Sequence, residues 1–117
     1  MLKEMTKLVL KQEPRRPGWY RVKRDWDIKV DGERITVPAG FVFDGDSVPR
    51  FPIVYLMAKA RVGLKPTAVH DYLYDTREVS RARADRIFLR MMEETDVRWI
   101  WRRIHYAAVR AFGWIFY

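Results

Sequence analysis

The chain has 117 residues, which predicts a single domain over residues 1–117, and its hydrophobic content of 49% is enough for one core. It contains no cysteine, which excludes disulfide bridges and thiolate metal sites. The first residues are mixed and polar, and no apolar run reaches about 18 residues. We therefore expect neither a secretory signal peptide nor a membrane-spanning helix.

The net charge of the chain is +8, and a basic surface attracts nucleic acid, anionic lipid or an acidic protein partner. Residues 1–75 carry 14 basic and 10 acidic side chains, and residues 76–117 carry nine and five, so each part has a net charge of +4. A well-solvated surface explains this charge equally well. No base-reading motif is visible, so sequence-specific binding of nucleic acid is not expected.

The first part of the chain predicts a small antiparallel sheet. Loose alternation or enrichment in β-branched and aromatic residues favours four strand segments: 6–12, 19–30, 34–37 and 41–43. Two prolines and a glycine predict a turn between the first two segments. Asp31 and Gly32 both tolerate positive φ, which predicts a hairpin turn between the second and third. Ala39 and Gly40 predict the next turn.

Three to four packed helices are predicted to follow the sheet, which makes the fold α+β. Their segments are one short apolar stretch and three stretches with apolar residues at helical spacing: 51–60, 66–75, 81–94 and 97–112. Pro66 suits a first helical turn, where its missing N–H costs nothing. Ser80 is the predicted N-cap of the third helix, and Thr95-Asp96 that of the fourth.

The second of these helices carries the first candidate site. His70 and Tyr74 are four residues apart and share one helix face, while Asp71 points about 100° away. A histidine here can act as a general base, and Asp85 on the next helix is the expected hydrogen-bonding partner of its ring, because the link between the two helices is short. The alternative is a buried histidine satisfied by Asp85, with Tyr74 as ordinary packing.

A polar loop at residues 44–49 is the second candidate site. Asp44 and Asp46 stand on either side of a glycine, and two carboxylates with free carbonyl groups around a glycine turn can bind Ca²⁺ or Mg²⁺. The loop lacks the glutamate that ends a twelve-residue helix-loop-helix calcium site. Local bonds from Asp44 and Ser47 to backbone N–H groups are the alternative.

The last helix has two faces. Its predicted core stripe follows helical spacing: Val97, Ile100, Trp101, Ile104, Ala108, Ala111, Phe112 and Ile115. Opposite it lies a predicted interaction surface of aromatic and basic residues: Trp99, Arg103, Tyr106, Arg110 and Trp114. Such faces bind anionic membranes, or stack bases and hold phosphates. Packing within the protein or against another subunit is the alternative. His105, between the two faces, is assigned no role.

Four ordered sequence blocks, at residues 40–49, 70–74, 81–88 and 106–113, contain the patterns Gly-Phe-x-x-Asp-x-x-Ser-Val-Pro, His-Asp-x-Leu-Tyr, Arg-x-x-Ala-Asp-x-x-Phe and Tyr-x-Ala-Val-Arg-x-Phe-Gly. Together these blocks resemble a family of small phage and prophage proteins of unknown function. The resemblance implies a phage or prophage origin. We therefore expect a location in the host cytoplasm or the virion, and partners among other virion proteins or host proteins.

The helix with His70 and Asp71, followed by a helix with Asp85, also resembles the core of phospholipases A2. This resemblance implies that His70 activates a water, Asp71 binds Ca²⁺, and Asp85 and Tyr74 orient the histidine. The chain lacks the cysteines and the glycine-rich calcium loop of those enzymes, so Asp44 and Asp46 would replace the loop. The alternative to a calcium-dependent lipid ester hydrolase is a non-enzymatic tail or baseplate component, or a host-protein-binding accessory protein, that uses the Trp/Arg surface.

Overall fold

The computed structural model describes residues 2–44, 64–95, 97–112 and 114. Within these ranges six strands precede three helices, and the fold is α+β, as predicted. The strands are β1 (Leu2–Glu4), β2 (Leu10–Gln12), β3 (Trp19–Val22), β4 (Trp26–Val30), β5 (Glu33–Val37) and β6 (Val42–Asp44). The helices are α1 (Leu64–Thr76), α2 (Arg81–Glu94) and α3 (Trp99–Phe112). The predicted helix at 51–60 lies outside the described residues.

The strands form two antiparallel three-stranded sheets, in the orders β1-β4-β5 and β2-β3-β6, where the sequence predicted one. The predicted strand over 19–30 is wrong because it is two strands, one in each sheet. The predicted strand over 6–12 is present only at Leu10–Gln12. The hydroxyl of Thr6 donates to the carbonyl of Asp25 and accepts from the N–H of Asp27. Thr6 thus lies between β1 and β2, outside both strands.

The predicted hairpin at Asp31 and Gly32 is confirmed. Both residues have positive φ, 48° and 83°, and Val30 pairs with Glu33 across the turn. The resulting register places alternate residues of β4 and β5 in the core, and these are Trp26, Ile28, Val30, Ile35 and Val37. Asp31 also accepts a hydrogen bond from the side chain of Arg90, which ties the hairpin to α2.

Helix α2 begins and ends where the sequence predicted. Ser80 accepts a hydrogen bond from the backbone N–H of Arg83, so it is the N-cap. The predicted N-cap at Thr95-Asp96 is wrong for Thr95, because its hydroxyl and its N–H both donate to the carbonyl of Met91 and close α2 instead. Asp96 lies outside the described residues. Helix α3 accordingly begins at Trp99 and not at Val97.

The predicted core stripe of α3 is partly wrong. Ile100 and Ala111 are exposed, whereas His105 and Val109 are buried. The helix is turned so that His105 meets the ring of Phe88 on α2, with 6.3 Å between the ring centroids. The side chain of Phe112 and all of Ile115 lie outside the described residues.

Two clusters of buried side chains hold the elements together. The larger cluster packs the four strands from β3 through β6 against α1 and α2, and it includes apolar residues such as Trp26, Leu73 and Ile87. The smaller one joins α2 and α3 through Phe88, Met92, Val97 and Val109. No helix in the described part of the chain is both long and apolar enough to cross a membrane.

Candidate functional site

The candidate site is built where α1, α2 and α3 meet. His70 and Tyr74 lie one turn apart on the buried side of α1, and Asp85 lies in the second turn of α2. Asp85 has no exposed surface, and His70 is only 3% exposed. Leu73 is buried beside His70 and Tyr74 on the same side of α1, and helical spacing therefore faces all three into the protein.

Both carboxylate oxygens of Asp85 accept hydrogen bonds. Oδ1 lies 2.9 Å from Nε2 of His70 and accepts the hydroxyl of Tyr74 at 2.5 Å. Oδ2 accepts a hydrogen bond from Nη1 of Arg110 at 2.9 Å, and Nη1 of Arg81 lies 3.6 Å from the same oxygen. The predicted contact between His70 and Asp85 is therefore present, with Tyr74 on the same oxygen.

The charge state of Asp85 follows from this surrounding. Burial alone raises the pKa of a carboxyl group, but hydrogen bonds from His70, Tyr74 and Arg110 outweigh burial and hold the pKa of Asp85 below its ordinary value. The carboxylate is therefore ionised at neutral pH. Burial also raises the pKa of Tyr74, and its bond to Asp85 raises it further, so the phenol remains a donor.

The protonation of His70 follows from the same balance. Burial lowers the pKa of His70, and this effect outweighs the opposite effect of the Asp85 carboxylate. The imidazole is therefore neutral at pH 7. Because an ionised carboxylate only accepts hydrogen bonds, Nε2 of His70 carries the proton and Nδ1 keeps the lone pair.

Two aromatic rings fix the plane of this imidazole. The centroid of the His70 ring lies 4.1 Å from that of Tyr74 and 4.4 Å from that of Phe88, with both rings tilted to it. The side chain of His70 is thus held by one directional hydrogen bond and by ring contacts. A neutral imidazole in a fixed orientation, with its lone pair on Nδ1, is the form that general-base catalysis requires.

Two arginines complete the cluster, and the sequence analysis missed both. Arg81 precedes Asp85 by four residues, a spacing that brings side chains together on a helix. It also donates to the carbonyls of Val109 and Arg110, in the last turn of α3, where carbonyl groups lack helical partners. Arg110 was assigned to the exposed face of α3. Its guanidinium instead reaches Asp85, and α3 offers it no acid of its own.

The predicted metal ligands are not brought together within the described residues. Asp71 is partly buried on α1. Asp44 ends β6, but its side chain and all of Asp46 lie outside the described residues. In the ranges 2–44, 64–95 and 97–112, no group of three or more His, Cys, Asp or Glu side chains is placed to hold a metal ion.

The remaining residues of the predicted interaction surface are only partly on the surface. Trp99 and Trp114 are 60% and 66% exposed, and Arg103 is exposed with its guanidinium 5.7 Å from the centroid of the Trp99 ring. Tyr106 is partly buried.

Comparison with known proteins identifies a family. The family described as "Protein of unknown function (DUF1353)" matches residues 20–109, which is more than half of the chain. The chain belongs to this family. The matched region contains His70, Asp71, Tyr74 and Asp85, and the prediction of an uncharacterised family is confirmed. No curated protein and no solved structure matches the chain.

The first prediction concerns stability. Asp85→Asn should lower the free energy of unfolding by about 3 kcal/mol, because it leaves two arginines beside a neutral, buried amide. Arg110→Gln should cost only about 1.5 kcal/mol, because Arg81, His70 and Tyr74 still surround the carboxylate. Urea denaturation of the three proteins measures both values. Equal losses, or no loss for Asp85→Asn, would contradict an ionised buried carboxylate.

The second prediction concerns pH. The unfolded chain protonates His70 near pH 6.5, whereas the folded chain resists protonation to lower pH, so stability falls as the pH drops below about 6.5. The loss approaches about 1.4 kcal/mol per pH unit at most. His70→Gln removes this contribution. The difference in free energy of unfolding between parent and variant should therefore shrink from pH 7 to pH 5. A difference that stays constant over this pH range would refute the lowered pKa.

Proposed function

We propose that the chain is a hydrolase of lipid esters in which His70 is the general base. The contact that carries this proposal is the bond from Nε2 of His70 to Oδ1 of Asp85, with Tyr74 donating to the same oxygen. It leaves Nδ1 as the basic nitrogen and supplies a negative charge that stabilises the imidazolium formed during the reaction.

The proposed reaction is a hydrolysis through an activated water. Nδ1 of His70 takes a proton from water as the water oxygen attacks the ester carbonyl carbon. The bond from that carbon to the alcohol oxygen then breaks, and the imidazolium returns the proton to the departing alcohol. Asp85 remains ionised throughout, and Tyr74 holds its carboxylate in place.

The surroundings of His70 favour an apolar substrate. The imidazole is buried and lies against the rings of Tyr74 and Phe88. A charged substrate would lose its hydration on approach to such a site, whereas an acyl chain would gain from it. The resemblance of the His-Asp helix to phospholipases A2 supports the same class of substrate. The four sequence blocks support a phage or prophage origin.

Calcium is the cofactor proposed for this reaction, with Asp71 as a ligand. Bound Ca²⁺ would polarise the ester carbonyl. Ca²⁺ takes six to eight oxygen ligands, and the carboxylate of Asp71, the one proposed ligand within the described residues, cannot hold the ion alone. The other proposed ligands, Asp46 and the side chain of Asp44, lie outside those residues. The steps above are therefore assigned to protein groups alone.

The third prediction tests the general base. The purified protein should release fatty acid from phosphatidylglycerol vesicles in the presence of Ca²⁺, and His70→Gln should lower the rate by about 10² to 10⁴-fold. The rate should also fall at acidic pH, as His70 becomes protonated. His105→Gln is the matched control, since His105 is the only other histidine and is also buried. This variant should keep the parent's activity.

Circular dichroism establishes that each variant is folded before it is assayed. Folded parent protein without esterase activity, or equal activity in His70→Gln and the parent, would exclude the proposed mechanism. Calorimetric titration with Ca²⁺ tests the cofactor separately. Heat of binding is expected from the parent and none from Asp71→Asn, and the absence of binding by the parent would remove calcium from the proposal.

A second candidate function rests on two exposed tryptophans, Trp99 at the start of α3 and Trp114 just beyond its end. Trp99 and Trp114 expose more than half of their surface, a feature of residues that bind a partner. With Arg103 they support a non-enzymatic role, as a virion component or in binding a host protein or an anionic membrane. Sedimentation of the protein with phage particles, and its loss in Trp99→Ser/Trp114→Ser, would favour this role. Equal sedimentation of the parent and the double variant would exclude this surface as the site that binds the particles.

A further inference from the structure

Most of the net charge lies in one short part of the chain. Residues 7–24 contain a single acidic side chain, Glu13, and seven basic ones: Lys7, Lys11, Arg15, Arg16, Arg21, Lys23 and Arg24. This segment alone carries +6 of the total charge of +8. All seven basic side chains are exposed. The acids of residues 25–75 partly offset this segment, so residues 1–75 as a whole have a net charge of only +4.

The sheet β2-β3-β6 arranges four of these cations on one side. Lys11 and Arg21 are directly opposite each other in the antiparallel pairing of β2 with β3. Lys23 follows Arg21 by two residues, with buried Val22 between them, so both point outward. The backbone N–H of Lys23 donates to the carbonyl of Val9, which extends the pairing to this position.

Arg16 joins the same side of the sheet through Trp19. Its guanidinium carbon lies 3.6 Å from the centroid of the Trp19 ring, and Trp19 precedes Arg21 by two residues on β3. We call the side chains of Lys11, Arg16, Arg21 and Lys23 the basic face.

Among the described residues, acidic groups neutralise little of the basic face. Glu13 pairs with Arg21 at 2.7 Å, and Asp25, just beyond the segment, accepts a hydrogen bond from the backbone of Ala39. Lys11 and Lys23 form no ion pair with any acid of the described residues. Like charges opposite each other on a sheet are destabilising. A polyanion bound to the face would relieve that repulsion.

The basic face suits phosphates better than a lipid bilayer. Among the described residues, the large apolar side chains that are exposed are Met5, Trp99, Ile100 and Trp114, and none of them belongs to this sheet. Trp19 is partly buried and has Arg16 over its ring. Interfacial binding combines cations with inserted apolar groups, whereas binding to the nucleic-acid backbone rests mainly on cations.

We propose that the basic face binds the phosphate backbone of nucleic acid independently of base sequence. The fixed spacing of a strand, about 6.6 Å between alternate residues, presents Arg21 and Lys23 as a row and Lys11 beside it. Contacts of this kind to phosphate oxygens carry no sequence information of their own. The proposal does not depend on the hydrolase activity, because none of these residues belongs to the Asp85 cluster.

The test is the fluorescence anisotropy of labelled duplex DNA titrated with the full chain at about 50 to 200 mM salt. Two unrelated duplex sequences should bind with equal affinity. The logarithm of the binding constant should fall linearly with the logarithm of the salt concentration. Lys11→Glu/Lys23→Glu should weaken binding at about 50 mM salt at least about tenfold and reduce the salt slope by about 2.

Arg86→Glu/Arg98→Glu is the matched control, because it changes the net charge by the same amount at exposed positions outside the sheet. This control should bind DNA within about threefold of the parent. Equal losses in the two double variants would assign the binding to net charge and overturn the proposal. It would also be overturned if the parent bound phosphatidylglycerol vesicles through Lys11 and Lys23 but did not bind DNA.

Discussion

The ionised carboxylate of Asp85 is the constraint on which the helical half of this protein depends. A charge with no exposed surface is very costly unless donors surround it. His70 and Tyr74 of α1 and Arg110 of α3 donate hydrogen bonds to it, and the guanidinium of Arg81, on α2 itself, pairs with it at 3.6 Å. The carboxylate therefore specifies how the helices are rotated as well as how closely they pack.

The same carboxylate determines the chemistry available to His70. Because Asp85 can only accept, it selects the form of the imidazole that carries its proton on Nε2. Burial of His70 keeps the ring neutral, and the rings of Tyr74 and Phe88 fix its plane. Structure and proposed catalysis are thus two consequences of one buried charge. A purely structural cluster would use the same contacts, so reactivity at Nδ1 is what distinguishes the two.

Local sequence signals predicted what depends on a few neighbouring residues. Ser80 caps α2, Asp31 and Gly32 form the hairpin, and the short link after α1 brings His70 to Asp85. Long-range pairing was not predictable in this way. The division of residues 19–30 between two sheets depends on partners far along the chain, and the contact of Arg110 with Asp85 depends on the rotation of α3. The metal ligands remain a prediction.

The central claim is that an ionised Asp85 holds a neutral His70 with its lone pair on Nδ1. Nitrogen-15 NMR of the imidazole rings tests it most directly, because the chain has only two histidines and the spectrum of His70→Gln assigns the signals. At pH 7 we expect Nε2 of His70 to be protonated and Nδ1 to be unprotonated. A proton on Nδ1 with none on Nε2, or a fully protonated ring at that pH, would contradict the account.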